Sequence, residues 1–99
     1  MSIIEIIEWS SEAEMRADMQ QRGHTPARYT YPPGLTFPPH THDEDKIAAV
    51  VSGQFRISIY GQTVVLGELQ GVFVPRHAVH SAEVVGQTPV VSVDAVKYT

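Results

Sequence analysis

The chain contains no cysteine, and this absence limits both its covalent chemistry and its metal chemistry. Without thiols it forms no disulfide and offers no thiolate, so a bound metal must be held by nitrogen and oxygen atoms. Cysteine nucleophiles are excluded as well, and no serine stands in the glycine-flanked context of a nucleophile elbow. The lack of cysteine agrees with a cytoplasmic location, which we expect for this protein.

Positive charge and long apolar runs are also scarce. Lysine and arginine total 7 against 11 acidic residues, which gives a formal net charge of −4. Because no basic cluster is present, we expect no nucleic-acid partner. The beginning of the sequence has neither a basic leader nor an apolar run of membrane-spanning length, so we expect no signal peptide and no membrane partner. The 99 residues are enough for one globular domain.

The first residues are expected to form a strand that needs cover. Residues Ile3–Glu8 carry isoleucines in doublets, which place aliphatic groups on both faces of an extended segment. One of these faces must therefore be covered by a helix or by another subunit. We expect a homodimer in which this strand pairs or packs against its copy.

A helix is predicted over Ser11–Arg22. The segment Ser11-Glu-Ala-Glu14 is typical of a capping box, and Gly23 follows a run without helix breakers. Met15 and Met19 lie one turn apart and are expected to pack on the wall of the main domain. Residues 1–25 are therefore predicted to form a strand and helix that pack on a barrel or on a partner subunit.

Residues 26–99 are predicted to form the barrel itself. Proline and glycine separate short β-branched and aromatic runs, which indicates seven or eight strands. Gln54–Tyr60 alternates between apolar and polar residues, as a strand with one buried face does. Residues Val50–Phe55 are interpreted as two strands of a hairpin with a tight turn at Gly53. This spacing of short strands predicts an all-β barrel or jelly roll.

Three histidines are the candidate metal ligands. His40 and His42 are two residues apart, so in a strand both side chains point to the same side. His80 comes from a distant strand and supplies a third imidazole. Three convergent imidazoles are a suitable donor set for one divalent transition metal such as Zn, Fe, Mn, Ni or Cu.

Two spaced motifs resemble those of the cupin family. Gly34-x5-His40-x-His42-x3-Lys46-x6-Gly53 is similar to the first cupin motif, and Gly67-x7-Pro75-x4-His80 is similar to the second. The resemblance extends over residues 27–97. It implies a cupin-type jelly-roll barrel in which His40, His42 and His80 occupy the positions of metal-binding histidines.

Lys46 departs from that resemblance, because the family usually has a glutamate ligand at this position. An ammonium beside a dication is costly in a barrel of low dielectric constant. Three arrangements relieve the repulsion. Lys46 loses its proton, or an anionic substrate supplies negative charge, or the metal is absent and Lys46 pairs with Asp43, Glu44 or Asp45. Lys46 is the candidate catalytic residue, as an anion anchor or as a general base.

Several other side chains are weighed as accessory groups. Glu44 is either part of a solvated acidic turn or a group that balances Lys46 or orients a histidine. His77 is either a turn residue or an additional ligand or proton shuttle. His24 is expected on the surface. Five aromatic residues are candidates for lining the barrel, namely Tyr29, Tyr31, Phe37, Phe55 and Phe73.

Three hypotheses for function follow. The first is a small metal-dependent enzyme of oxygenase, isomerase or lyase type that acts on a small, anionic molecule. The second is a non-catalytic module that binds or senses a small ligand, since a short barrel has little material for enclosing a substrate. The third is a structural barrel whose polar interior has no remaining function. The sequence does not rank the reactions.

Overall fold

The computed structural model describes residues 4–98, so Ile3 of the predicted N-terminal strand lies outside the described residues. These residues form nine strands and one helix, and eight of the strands follow the helix, as predicted. In chain order the elements are β1 (Ile6–Glu8), α1 (Glu12–Gln21), β2 (Thr25–Tyr31), β3 (Thr36–His40), β4 (Asp45–Ser52), β5 (Gln54–Ile59), β6 (Gln62–Leu66), β7 (Gln70–Val74), β8 (His80–Val85) and β9 (Val90–Lys97).

The strands form two antiparallel sheets. The first has the order β1-β7-β4-β9-β2, and the second has the order β3-β8-β5-β6. Every strand pairing is antiparallel, and most neighbours in a sheet are distant in the sequence. This arrangement is a jelly roll and confirms the all-β prediction.

One hydrophobic core lies between the two sheets. In β5 the burial alternates, with Phe55, Ile57 and Ile59 buried, which confirms the pattern seen in the sequence. Because alternate side chains of a strand share a face, each strand contributes every second residue to this core. The other buried members of the core are Val50, Leu66, Val72, Val74, Ala78, Val84 and Val90.

The helix covers a second core on the outer face of the larger sheet. The hydroxyl of Ser11 accepts a hydrogen bond from the Glu14 backbone N–H at 3.1 Å, which confirms the predicted helix start. Met15 and Met19 are fully buried, as expected. They pack with Trp9, Ile47, Ala49, Val93 and Ala95. Within residues 4–98 no helix has the length and apolarity needed to cross a membrane.

The predicted hairpin at Val50–Phe55 is wrong. β4 pairs with β7 and β9, whereas β5 pairs with β6 and β8 in the other sheet. Gly53 has a φ of +90° and carries the chain across from one sheet to the other. A tight turn has the same sequence pattern whether the next strand pairs with the previous one or crosses to the other sheet. The choice is made by residues that are distant in the sequence.

Two predictions about single side chains also fail. His24 is buried rather than exposed, because the chain folds back beneath the helix end and its Nδ1 lies 3.3 Å from the carbonyl oxygen of Ala95. Phe73 does not line the barrel and is 44% exposed, whereas Tyr29 is 47% exposed but stands on the same face of β2 as Tyr31, with the two rings stacked. Phe73 pairs with Ile47, which faces the helix, so its ring is on the outer face.

Candidate metal centre

The three candidate histidines lie together at the mouth of the barrel. One ring nitrogen from each of His40, His42 and His80 lies within 4.8 Å of the other two. The ring centroids are 4.2 Å apart for His40 and His80, and 4.7 Å apart for His40 and His42. The structure therefore brings together side chains that are up to 40 residues apart in the sequence.

A β-bulge turns His40 into the barrel. Phe37 pairs with Ala82 and His40 with His80, so the two residues Pro38 and Pro39 stand opposite Ser81 alone. Regular alternation would put residues 37 and 40 on opposite faces, and the extra residue of the bulge brings both to the cavity side. Proline suits this position because β3 is an edge strand and needs no ladder donor there.

His42 reaches the cluster from a loop rather than from a strand. β3 ends at His40, so the expected alternation along one strand does not explain the position of His42. Instead, the backbone N–H of His77 donates to the carbonyl oxygen of His42 at 2.8 Å. His77 lies in the turn before β8 with a φ of +65°, as the turn interpretation predicts. This hydrogen bond fixes the His42 loop against the segment that carries His80.

Backbone carbonyls select the tautomers of two histidines. Nδ1 of His40 lies 2.6 Å from the carbonyl oxygen of Pro38, and Nδ1 of His80 lies 2.9 Å from that of Ala78. A carbonyl oxygen only accepts, so both Nδ1 atoms carry the proton and both Nε2 atoms keep a free lone pair. Nε2 of His40 and Nε2 of His42 are 3.1 Å apart, so both can lie about 2.1 Å from one ion.

The surroundings of His42 and His80 favour neutral imidazoles. Burial first, and then the positive charge of Lys46 and of the two other histidines, together lower the pKa of His42 to about 4. Burial likewise lowers the pKa of His80. Since a metal binds the neutral imidazole, these shifts keep His42 and His80 available as donors at neutral pH.

The histidines open onto a small cavity between the sheets. Its volume is about 160 Å³, room for roughly five water molecules at their liquid volume. Tyr31, Phe37 and Phe55 form an aromatic wall, with ring centroids 5.0 Å apart for the first two and 6.0 Å apart for the last two. The remaining lining residues are His40, His42, Lys46, Ala48, Ile57, Val74, His80, Ala82 and Asp94.

Lys46 lines this cavity without a close carboxylate. In the part of the chain that the structure describes, no ion pair within 4.0 Å includes its ammonium group. Asp45 accepts instead from the backbone N–H of Arg76 at 2.8 Å, and the Asp43 side chain is 92% exposed. The arrangement in which a neighbouring acid of the 43–45 turn neutralises Lys46 is therefore wrong.

Glu44 and His77 lie outside the cluster of three histidines. Glu44 belongs to the bend before β4, and the cluster does not include it. The His77 side chain is 68% exposed, and its Nδ1 lies 3.8 Å from the Asp43 carboxylate. The contact of His77 with the cluster is the backbone hydrogen bond to His42 rather than its imidazole.

Asp94 is a lining residue that sequence reasoning missed. It accepts a hydrogen bond from the Tyr31 hydroxyl at 2.8 Å, and burial raises its pKa. Asp94 stands on β9 opposite Ala48, and Lys46 is two residues away from Ala48 on the same face of β4. The available signal was an acidic residue in the middle of the apolar run Val90–Val96.

Comparison with known proteins agrees with this architecture. The sequence profile of the Cupin domain matches residues 27–96. KdgF from Halomonas sp. is 22% identical, with a TM-score of 0.67 over 78% of this chain and 71% of that protein. An RmlC-like cupin from Shewanella frigidimarina is 23% identical, with a TM-score of 0.69 over 78% of this chain and 68% of that one.

A third similar structure covers nearly the whole chain. It is a predicted oxalate decarboxylase from Thermotoga maritima, 21% identical, with a TM-score of 0.69 over 97% of this chain and 81% of that protein. At these identities the likeness concerns the fold. No curated protein matches the chain.

Proposed function

Because the chain belongs to the cupin family, we propose that it is a metal-dependent enzyme that acts on a small, anionic molecule. The observation that carries this proposal is the convergence of three imidazoles, one ring nitrogen of each within 4.8 Å of the other two, on a cavity that also contains Lys46. A donor set, an adjacent cavity and a fixed positive charge are the components of a binding site for an anion beside a metal.

His40, His42 and His80 are the proposed ligands of one divalent transition metal. The donor set is all nitrogen, which suits Zn, Fe, Mn, Ni or Cu. Such a metal supplies Lewis acidity, and some of these ions also supply oxygen chemistry. The hydrogen bonds from Nδ1 to backbone carbonyls hold two of the rings in the orientation that binding needs.

Lys46 is the proposed anion anchor. Three neutral ligands leave the charge of a dication uncompensated, and the ammonium group adds to it. In the described residues no carboxylate within 4.0 Å offsets that group. A carboxylate on the substrate would supply the missing negative charge to both cations, so the proposed substrate is a small anion.

Elemental mass spectrometry on the untagged protein tests the metal site. We expect one equivalent of a transition metal in the native protein and none in His40→Ala, because two nitrogen ligands remain. His77→Ala is the matched control, since its imidazole lies outside the cluster. Equal metal content in the native protein and His40→Ala would contradict the proposed site.

Lys46→Glu distinguishes a native site that binds a metal from a site in which the charge of Lys46 replaces that of the ion. If the native protein binds metal, the variant should bind it more tightly, because a carboxylate replaces an ammonium group beside the ion. Metal found only in Lys46→Glu would mean that the lysine has replaced the charge of the ion in the native protein. The proposal of a metal-dependent enzyme would then fail.

A non-catalytic binding module is the second candidate, and the small cavity favours it. A volume of about 160 Å³ is below that of ordinary ligand sites. The two functions differ in their dependence on metal. A binding module should keep its ligand affinity after metal removal, whereas the enzyme should lose its activity with the loss of any of the three histidines.

A further inference from the structure

A second cavity lies between the start of β1, the turn from β5 to β6 and the end of β7. Its volume is about 280 Å³, against about 160 Å³ for the cavity beside the three histidines. We call it the side groove, and its lining includes Ile4, Glu5, Ile59, Tyr60, Phe73 and Pro75. A concave, mainly apolar surface with a few polar groups is typical of a site for a small molecule.

Tyr60 stands in the side groove in a backbone conformation that aromatic residues disfavour. Tyr60 and Gly61 form the two-residue turn between β5 and β6, since Ile59 pairs with Gln62. Both turn residues have positive φ, +52° and +78°, as a type I′ turn requires. Asparagine, aspartate and glycine suit this first position, whereas a large side chain there strains the backbone. Strain of this kind points to a role for the side chain.

Packing of the Tyr60 ring does not account for this strain. Tyr60 is 52% exposed, and in the described part of the chain its ring contacts no other aromatic ring. Phe73 is 44% exposed, and the ring of His24 meets it edge-on at a centroid distance of 6.4 Å. The side groove therefore presents two aromatic rings that remain open to solvent.

Glu5 gives the side groove a negative charge that no cation of the described residues balances. None of the ion pairs within 4.0 Å in residues 4–98 includes its carboxylate. The described lining of the groove also contains no lysine and no arginine. The formal net charge of −4 on the whole chain adds a field that attracts cations. A ligand of this groove is therefore expected to carry a positive charge.

The small number of hydrogen-bond acceptors selects the type of cation. Besides Glu5, the lining side chains offer the Tyr60 hydroxyl and the Gln62 amide, whose Oε1 accepts from the Ile4 backbone N–H at 3.3 Å. A primary ammonium group would give up water at three N–H donors and find few partners here. A quaternary ammonium ion has no N–H groups, and aromatic faces attract it directly.

We propose that the side groove binds a small quaternary ammonium ion, with Tyr60 and Phe73 against its alkyl groups and Glu5 balancing its charge. This site is separate from the histidine cavity, since the two share none of their described lining residues. The inference goes beyond the proposed function, and binding in the groove needs no metal. It also gives a reason for the strain at Tyr60, because the turn loses stability in order to place an aromatic wall.

NMR titration of the metal-free protein with three matched probes tests the class of ligand. Choline carries a trimethylammonium group, ethanolamine carries a primary ammonium group, and 3,3-dimethylbutan-1-ol has the shape of choline without its charge. We expect choline to shift amide signals around the groove, and the other two probes to bind about tenfold more weakly or not at all. No binding of choline, or equal affinity for choline and either other probe, would overturn the proposal.

Tyr60→Asn separates a binding role of the ring from a structural one. Asparagine suits the turn, so the variant should have a higher urea midpoint than the native protein, while its affinity for choline should fall about tenfold. Tyr98→Asn is the matched control, since it removes an exposed tyrosine outside the groove. Unchanged choline affinity in Tyr60→Asn, or a loss of stability that shows the ring to be structural, would overturn the proposal.

Glu5→Gln tests the contribution of charge, and Glu68→Gln is its control, because Glu68 is an exposed carboxylate outside the groove. Choline should bind more weakly to Glu5→Gln and with native affinity to Glu68→Gln, and equal affinities would contradict the role of Glu5. A second copy of the chain is the other occupant to test, by light scattering. A molar mass that falls in Tyr60→Asn, with no choline bound to the native protein, would assign the groove to that copy and overturn the proposal.

Discussion

Among single residues, Gly53 stands where the chain crosses from β4 in one sheet to β5 in the other. Its φ is +90°, and an added Cβ would lie 2.5 Å from the carbonyl oxygen of Pro89. Gly34 has a similar φ of +81° with no atom within 4 Å of its would-be Cβ. The two positions therefore share the strain of a left-handed backbone but differ in the space available.

We expect Gly53→Ala to be clearly more destabilising than Gly34→Ala. Gly34→Ala should lower the free energy of unfolding by about 1–2 kcal/mol, the cost of a side chain in the left-handed region. Gly53→Ala should lower the free energy of unfolding by the same amount and by about 1–3 kcal/mol more, because its methyl group meets backbone that cannot move aside. Urea unfolding of both variants measures the difference, and equal losses would show that the close approach to Pro89 is relieved at no cost.

The histidine pKa shifts predict how stability depends on pH in the metal-free protein. His42 titrates near pH 6.5 when unfolded but near pH 4 when folded, because of burial first and of neighbouring positive charge second. The unfolded chain thus binds more protons in this window, so stability is full above pH 6.5 and is lost as the pH falls toward 4. We expect a lower urea midpoint at pH 5 than at pH 7.

The variant His42→Asn separates the effect of His42 on the pH dependence of stability from effects of opposite sign. Burial raises the pKa of Asp94, which favours the folded state at low pH and opposes the effect of the histidines. The variant keeps Asp94 but loses one histidine, so the drop in its midpoint between pH 7 and pH 5 should be smaller. The same drop in both proteins would contradict the role assigned to His42.

The residue scale also shows what the sequence could and could not reveal of the site. The spacing of the three histidines in the sequence identifies them as candidate ligands, because this spacing does not depend on the local backbone conformation. The sequence does not reveal the bulge at Pro38-Pro39 or the hydrogen bond from His77 to His42. Both depend on the pairing of strands, which exists only in the folded chain. Asp94 was missed for the same reason, because its partner Tyr31 lies 63 residues away.

At the scale of elements, the sequence predicted local structure well and pairing poorly. Helix α1 begins where Ser11 caps it, and the alternation in β5 fixes its buried face, because caps and alternation involve neighbours only. The connection between β4 and β5 looked like a hairpin but crosses between sheets. Each of these strands finds its partners far along the chain, and no local pattern encodes that choice.

The packing of α1 on the larger sheet predicts a large effect of Met19. Its side chain is fully buried between the helix and the outer face of the larger sheet. Met19→Ala should lower the free energy of unfolding by about 2–5 kcal/mol through lost contacts and the cavity left behind. Met19→Leu, which conserves volume, should cost less than about 1.5 kcal/mol. Chemical unfolding measures both, and a small effect of the alanine variant would mean that the helix is not needed for stability.

At the scale of the whole molecule, the N-terminal strand leaves one edge of the larger sheet open. β1 pairs with β7 on one side, and among the described strands none pairs with its other side. Ile6 on this strand is 43% exposed. An open edge beside an exposed aliphatic side chain is a surface that a second copy can cover, which keeps the homodimer as our prediction.

We expect Ile6→Lys to convert a dimer into a monomer, because an ammonium group would be buried at the contact between copies. Val65→Lys is the matched control, since Val65 is similarly exposed at 46% but lies on β6 of the other sheet. Light scattering gives the molar mass of each variant. A dimer that persists in Ile6→Lys and after deletion of residues 1–9 would rule out this interface.

The position of His40 opposite His80 has a consequence for the lifetime of the protein. The two residues are 40 positions apart in the sequence but pair directly across β3 and β8, so an ion held by both would close a long loop of the unfolded chain. By mass action, free metal would then draw the chain into its folded form. Supply of the metal would set how long each molecule escapes proteolysis, and the abundance of the protein would follow that supply.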